Sequence, residues 1–418
     1  MEKSMKRIEK KQKRKSKKRI LVLVPVIAAA ALFVLPFSAM VLLYENTFGK
    51  RIYAPERISH SVEEFEGLMR TKHTFSSDKG QQIVGYLYQR DGVEYKGAAV
   101  LAHGFGSGGH RSYLAAVDFL VRNGYITFAY DVTGNDESSG KSVRGLPQGV
   151  IDLDHAITYA EGLDEFKGLP VVLFGHSWGG YSVSNVLRYH PEVKAAAVLS
   201  GFNRSTDLVE SYARKMFGDF VKYLMAYEGL YERLKFGKYA ANTALESFAN
   251  SSMPVIVVQG SVDNIVPAEY GYDKWYKAYG DSERFEFLWV EGKGHGDVLF
   301  ESGPSTGQTQ QTKDQGNALL NILTSKQSSN NSSSNSSSNS SSNSSSNSSS
   351  NSSNNSSSNS LSNSSSNSSS NGSSNSSSTS SIKSPSNNSS NSSGKGLSRV
   401  NEYVGMRVIE FFDRYCAQ

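Results

Sequence analysis

Gly175-His176-Ser177-Trp178-Gly179 closes the apolar run 171–174 and leads into a helix-like segment at 181–189. Glycines two residues either side of a serine permit the sharp strand-to-helix turn that lifts a hydroxyl above a sheet edge as a nucleophile. The pattern is weak alone, because Gly303-Pro304-Ser305-Thr306-Gly307 also fits it. No amphipathic helix follows that second match, so context selects Ser177. A serine needs a base to take its proton and a carboxylate to orient that base. Of the two histidines downstream, His190 sits ahead of Pro191 at a helix end and reads as a surface or capping residue. His295 stands in the glycine-rich segment 292–297, after the last strand-like run. Asp263 follows the run 254–259 and is the expected acid, with Asp207 its substitute. An oxyanion formed on attack needs backbone N–H donors already in place. Trp178, next to the nucleophile, is expected to supply one, and Phe105 in His103-Gly104-Phe105-Gly106 the other. His103 ends an early strand and is expected to hold this loop rather than act as a base.

These side chains meet only if strands and helices bring their loops to one edge. Runs at 71–76 and 83–89 read as two antiparallel strands around a turn at 78–80, with Ile83, Gly85 and Leu87 on one face and Val84, Tyr86 and Tyr88 on the other. Continuous apolar runs follow at 98–102, 125–130, 170–174, 195–199, 254–259 and 285–290, as suits strands buried on both faces. Helical patterns at 113–122, 149–161 and 181–189 alternate with them. The expectation is an α/β fold with an eight-stranded, mostly parallel sheet and helices on both faces. About fifty residues separate Gly201 from Met253, far more than such a connection needs. This stretch, about 203–253, is expected to be a helical cap. It carries Tyr212, Phe217, Phe220, Tyr223, Tyr227, Tyr231, Phe236 and Tyr239, and its inward rings would line a substrate pocket.

The elements His103-Gly-Phe-Gly106, Asp131-Val-Thr-Gly134-Asn-Asp-Glu-Ser138, Gly175-His-Ser177-Trp-Gly179, Gly260-Ser-Val-Asp263-Asn-Ile-Val-Pro267 and Gly294-His295 occur in this order over residues 70–300. Jointly they resemble the α/β-hydrolases of the serine-aminopeptidase-like and monoacylglycerol-lipase-like branch. The resemblance implies hydrolysis of an ester or amide through an acyl-enzyme and without a cofactor, and the aromatic richness of the cap favours a lipid-like or short acyl ester over a peptide. It also implies Ser177, Asp263 and His295 as catalytic residues. Asp136 departs from the pattern, standing where relatives usually carry glycine.

A rival constellation shares the early loop. Gly104-x-Gly106-x-x-Gly109 follows a strand and precedes a helix, and Asp131 ends the next strand, as in dinucleotide-binding units. An NAD-linked oxidoreductase would leave Ser177, Asp263 and His295 without a joint explanation. A catalytically silent surface or binding protein is a third reading.

The ends of the chain explain its odd totals. Of 418 residues with formal charge +5, residues 1–19 hold 11 Lys or Arg against two Glu, while the rest holds 33 basic and 37 acidic side chains. The positive charge is a terminal tag, so a nucleic-acid partner is not expected. Residues 20–44 are uncharged and mostly apolar, long enough to span a bilayer despite Pro25 and Pro36. An uncleaved signal anchor is expected rather than a cleaved signal peptide, with residues 1–19 cytoplasmic and the domain from 45 to 327 outside the cytoplasm. The single Cys416 excludes an intrachain disulfide framework. Residues 328–393 are almost wholly Ser and Asn, and are expected to form a disordered insertion. In 394–418, Leu397, Val400, Val404, Val408, Phe411, Phe412 and Tyr415 share one helical face. This segment is expected to be the closing helix of the domain, since even a long loop costs only on the order of 4 kcal/mol beyond a constant to close.

Overall fold

The short apolar runs become strands because each feeds both faces of one sheet. In β7 (Val255–Gly260), Val255 and Val257 enter one core while Ile256 and Val258 enter the other. The computed structural model describes residues 2–56, 58–241, 243–301 and 399–417. The expected Ser/Asn insertion at 328–393, the second serine match at 303–307 and the start of the 394–418 segment lie outside these residues.

The other strands are β1 (Met69–Ser76), β2 (Gln82–Gln89), β3 (Gly97–Ala102), β4 (Tyr125–Tyr130), β5 (Val171–His176), β6 (Ala195–Leu199) and β8 (Phe285–Val290). They form one sheet ordered β1-β2-β4-β3-β5-β6-β7-β8. β2 runs antiparallel to β1 and β4, and every other pairing is parallel. Ile83 and Leu87 of β2 face one core, and Val84, Tyr86 and Tyr88 the other, as their alternation in sequence requires. Helices α2 (Leu114–Arg122), α3 (Pro147–Glu161) and α4 (Trp178–Val186) cover the sheet, α2 on one face and α3 and α4 on the opposite one. This is the α/β-hydrolase fold that the resemblance implies.

The C-terminal helix (Glu402–Cys416) packs beside α2, burying Val404, Val408, Ile409, Phe411 and Phe412. Tyr125 Oη donates to Asp413 at 2.7 Å, and Arg407 and Arg414 pair with Glu286 of β8. The chain departs and returns at one place, where the Glu301 N–H donates to the Arg399 carbonyl at 2.8 Å.

Helix α1 (Glu2–Phe48) runs unbroken through Pro25 and Pro36, and its part Leu21–Phe48 has the length and apolarity to cross a membrane. Leu21, Leu32 and Leu35 are exposed on it, whereas Met40, Tyr44, Thr47 and Phe48 are buried. A division at 44/45 therefore falls within a helix whose last two turns belong to the body. The segment 203–253 folds into α5 (Ser205–Phe217), α6 (Met225–Phe236), α7 (Lys238–Ala241) and α8 (Ala244–Ala249). Its rings mostly do not turn inward together. Tyr227 and Tyr231 pack on Phe33 and Phe37 of α1, and Phe220 and Tyr223 are exposed. Tyr212 and Phe236 are buried, Tyr239 is half-buried, and the Phe217 side chain lies outside the described set.

Between α1 and α6, Tyr44 Oη donates to Glu232 Oε1 at 2.8 Å and the Ser205 hydroxyl also donates to Glu232. Burial pushes the Glu232 carboxyl up to about 7, against the downward pull of these two hydrogen bonds. Burial and the neighbouring Glu232 raise Glu228 as well. A raised carboxyl binds more protons in the folded than in the unfolded state, so stability must fall as pH rises from about 4.5 through about 7. Glu232→Gln should remove part of that slope and recover up to about 3 kcal/mol at pH 8. Melting temperatures of both proteins at pH 5 and pH 8 check this, and identical slopes would refute it.

Candidate active site

β5 ends at His176, and Ser177 adopts φ 59° and ψ −117° before α4 begins. A non-glycine residue held there is strained, a cost that surrounding contacts must sustain. Those contacts are tight. A Cβ on Gly179 would lie 1.9 Å from the Ala102 carbonyl oxygen, and one on Gly175 2.3 Å from that of Gly179. The Ser177 N–H is tied to the Leu199 carbonyl at 2.9 Å.

The loops after β7 and β8 bring two side chains to this turn. His295 Nε2 lies 2.8 Å from Ser177 Oγ, and His295 Nδ1 lies 2.7 Å from Asp263 Oδ2. With Nδ1 protonated, the ring donates to Asp263 and accepts from the Ser177 hydroxyl. Asp263 Oδ1 accepts from the N–H groups of Ile265 and Val266, both at 2.9 Å. Burial would raise the Asp263 carboxyl, but the His295 charge and these hydrogen bonds hold it below the usual carboxylate range. It therefore stays ionised opposite His295. Asp207 is committed elsewhere, to Lys274 at 3.0 Å. His190 is buried rather than at the surface, between Asp154 at 2.8 Å and Glu192 at 2.6 Å.

The loop after β3 passes directly over the serine, since a Cβ on Gly104 would lie 3.4 Å from Ser177 Cβ. The backbone N–H groups of Phe105 and Trp178 have no acceptor among the described residues. Their rings pack edge-on, with centroids 5.4 Å apart. His103 Nε2 accepts from the Val132 N–H at 3.1 Å and Nδ1 reaches the Gly104 carbonyl at 2.9 Å, so its ring fastens this loop.

Two further residues join the parts. The Gly104 N–H donates to Tyr113 Oη at 3.0 Å, and Tyr113 Oη contacts His176 Nδ1 at 2.8 Å. His176 Nε2 in turn contacts the His295 carbonyl at 2.8 Å. Burial and the charge of His295 lower the His176 pKa to about 3, so the ring is neutral and donates through Nε2. Tyr113 and His176 thus tie the loop above the serine to the backbone of the base. Sequence reasoning missed both, and no motif offset marks Tyr113. Tyr113→Phe leaves the Gly104 N–H and His176 Nδ1 unpaired, which costs about 1–3 kcal/mol per buried group. The expected result is a fall in kcat of about tenfold with KM little changed. A loss confined to KM would mean that the tyrosine serves binding instead.

The glycine-rich loop does not cradle a dinucleotide. A Cβ on Gly108 would lie 1.9 Å from the Ala54 N, and one on Gly109 2.2 Å from Asp131 Oδ1, so the chain itself fills the space beside both. Asp131 is wholly buried and holds the His110 ring at 2.7 Å and the His110 N–H at 2.9 Å, leaving it unable to receive a ribose. Asp136 has φ 29°, a left-handed conformation that favours glycine. Its carboxylate accepts from the Ala54 N–H at 2.6 Å, fastening the stretch that descends from α1.

The sequence profile of the family Serine aminopeptidase, S33 matches residues 93–226, which include Ser177 but end before Asp263 and His295. A monoacylglycerol lipase of Mycolicibacterium smegmatis is 32% identical over 134 residues, covering 32% of this chain and 46% of that protein. A monoglyceride lipase of Saccharomyces cerevisiae is 29% identical over 143 residues, covering 32% of this chain and 43% of the relative. The chain thus spans less than half the length of these relatives. Among solved structures, a Pyrococcus furiosus esterase aligns with TM-score 0.47 and 15% identity, over 65% of this chain and 98% of the esterase.

Proposed function

We propose that this chain is a membrane-anchored serine hydrolase that cleaves a carboxylic ester of a lipid-like substrate through an acyl-enzyme on Ser177. The observation that carries the reading is the hydrogen-bonded row Ser177–His295–Asp263 on a strained strand-to-helix turn. Ser177 Oγ attacks the ester carbonyl carbon as its proton passes to His295 Nε2. Asp263 stabilises the imidazolium, and the N–H groups of Phe105 and Trp178 receive the developing oxyanion. His295 then protonates the departing alkoxide, which leaves as an alcohol. Water, deprotonated by His295, attacks the acyl carbonyl and returns Ser177 with release of the acid.

The named relatives that act on monoglycerides favour an ester over an amide. The exposed apolar stretch of α1 and the 11 basic residues in its first turns, at positions 3–19, favour an anchor with its N-terminus cytoplasmic and the catalytic body on the far side. Incubation of the full chain with a fluorophosphonate probe tests the chemistry. One adduct, on the peptide carrying Ser177, is the expected result. An unlabelled, folded protein would overturn the reading. A series of esters graded by acyl length then identifies the substrate class.

A further inference from the structure

The last turns of α1 and the cap enclose a cavity of about 200 Å³. Met40, Tyr44 and Phe48 of α1 form one wall, and Ala213, Val221 and Met225 form the other. One wall of the cavity adjoins the candidate active site. Phe48 packs edge-on against Phe105 with centroids 5.8 Å apart, and Phe105 packs on Trp178, the neighbour of Ser177. In the cap, Tyr212, one residue before Ala213, is buried.

Phe220 also lines the cavity, yet it is 57% exposed and so stands at its mouth. In the same cap, Tyr227 and Tyr231 of α6 pack against Phe33 and Phe37, within the apolar stretch of α1. The only carboxyl on the lining is Glu228, fully buried, with neither oxygen hydrogen-bonded among the described residues. Burial and the adjacent Glu232 favour its neutral form, so the lining presents no charge to an occupant.

We infer that this cavity is an acyl-chain pocket, that the end of the membrane anchor is one of its walls, and that its occupant is a single acyl chain arriving from the bilayer along α1. The inference rests on the ester-hydrolase reading and deepens it. Helix α1 then does more than tether: it shapes the pocket, and its span delivers the mouth to the lipid in which the substrate resides. An apolar chain is the occupant of choice, because the lining, Glu228 and Thr47 apart, is apolar and gives a polar occupant few hydrogen-bond partners to replace lost water.

The test is the ratio of kcat/KM for a dodecanoyl ester to that for a butanoyl ester, measured on the full chain in detergent micelles. Met40→Trp on the anchor wall and Ala213→Trp on the cap wall should each lower this ratio by about tenfold or more, since lost methylene contacts are worth about that much. Leu32→Trp, on the exposed face of α1, should leave it unchanged. An unchanged ratio in both pocket variants, or an equal loss on both esters, would overturn the inference. A photoreactive dodecanoic acid applied to the unaltered chain decides the matter if the tryptophan variants do not fold. Adducts in peptides spanning 32–48 or 205–236 support the pocket, and adducts elsewhere or none oppose it. The two readings fail separately. Absence of fluorophosphonate labelling would remove the hydrolase, while crosslinking at these walls would leave a lipid-binding cavity.

Discussion

Ser177→Ala is expected to lower kcat for ester hydrolysis by about 10⁴- to 10⁶-fold and to abolish fluorophosphonate labelling. His295→Ala should cost about as much, and the double variant little more, because groups that act as one unit lose their whole effect when either is removed. Asp263→Asn should leave the geometry nearly intact and still cost about 10⁴-fold, since an amide cannot hold the imidazole in the required tautomer or stabilise its charge. Residual turnover would come from donors and binding alone. The melting temperature should move little with Ser177→Ala, as the serine side chain contributes a single hydrogen bond, to His295, to a turn that glycines and backbone contacts define. Labelling that persists in Ser177→Ala, or activity within tenfold of the parent protein, would remove this serine from the mechanism.

Deleting Leu397–Gln418 should unfold or nearly unfold the catalytic body. The helix buries Val404, Val408, Ile409, Phe411 and Phe412 against the sheet and α2. At about 1.5–3 kcal/mol for each large apolar side chain, the loss is of the same order as the whole stability of a domain, about 5–15 kcal/mol. The deletion also strips cover from β6 and β7 and leaves Glu286 without Arg407 and Arg414. Deleting Ser328–Ser393 should leave the melting temperature nearly unchanged, because the described ends at Glu301 and Arg399 already meet through a backbone hydrogen bond. Thermal unfolding of the two truncations and the parent compares them directly. A full-height transition at the parent temperature after the first deletion would refute the role given to the helix.

The fold was legible to the degree that burial is recorded locally. Five- and six-residue apolar runs are unmistakable when both faces of a strand are covered, and alternation in β2 assigns its faces correctly. The exchange of β3 and β4 in the sheet order was not legible, because strand pairing depends on long-range contacts that no run of residues carries. The site was legible where chemistry constrains backbone, as at Gly175 and Gly179, which have no room for a side chain. Tyr113 and His176 were not, since a hydroxyl bridging two buried groups leaves no periodic trace. The rings of the cap misled for a related reason: aromatic content reports that a segment packs, not what it packs on, and several face α1.

By itself the sequence singled out the candidate residues and their order, the class of the sheet, and the anchor-like composition of the first 44 residues. Those are properties of residue type and local spacing. The tertiary structure alone decided that the serine, histidine and aspartate lie within hydrogen-bond reach, that Tyr113 and His176 join the loop above Ser177 to the backbone of His295, and that the end of α1 forms a wall against the cap. Each of these brings together residues tens to hundreds of positions apart, and only the closing of a shared core sets such distances.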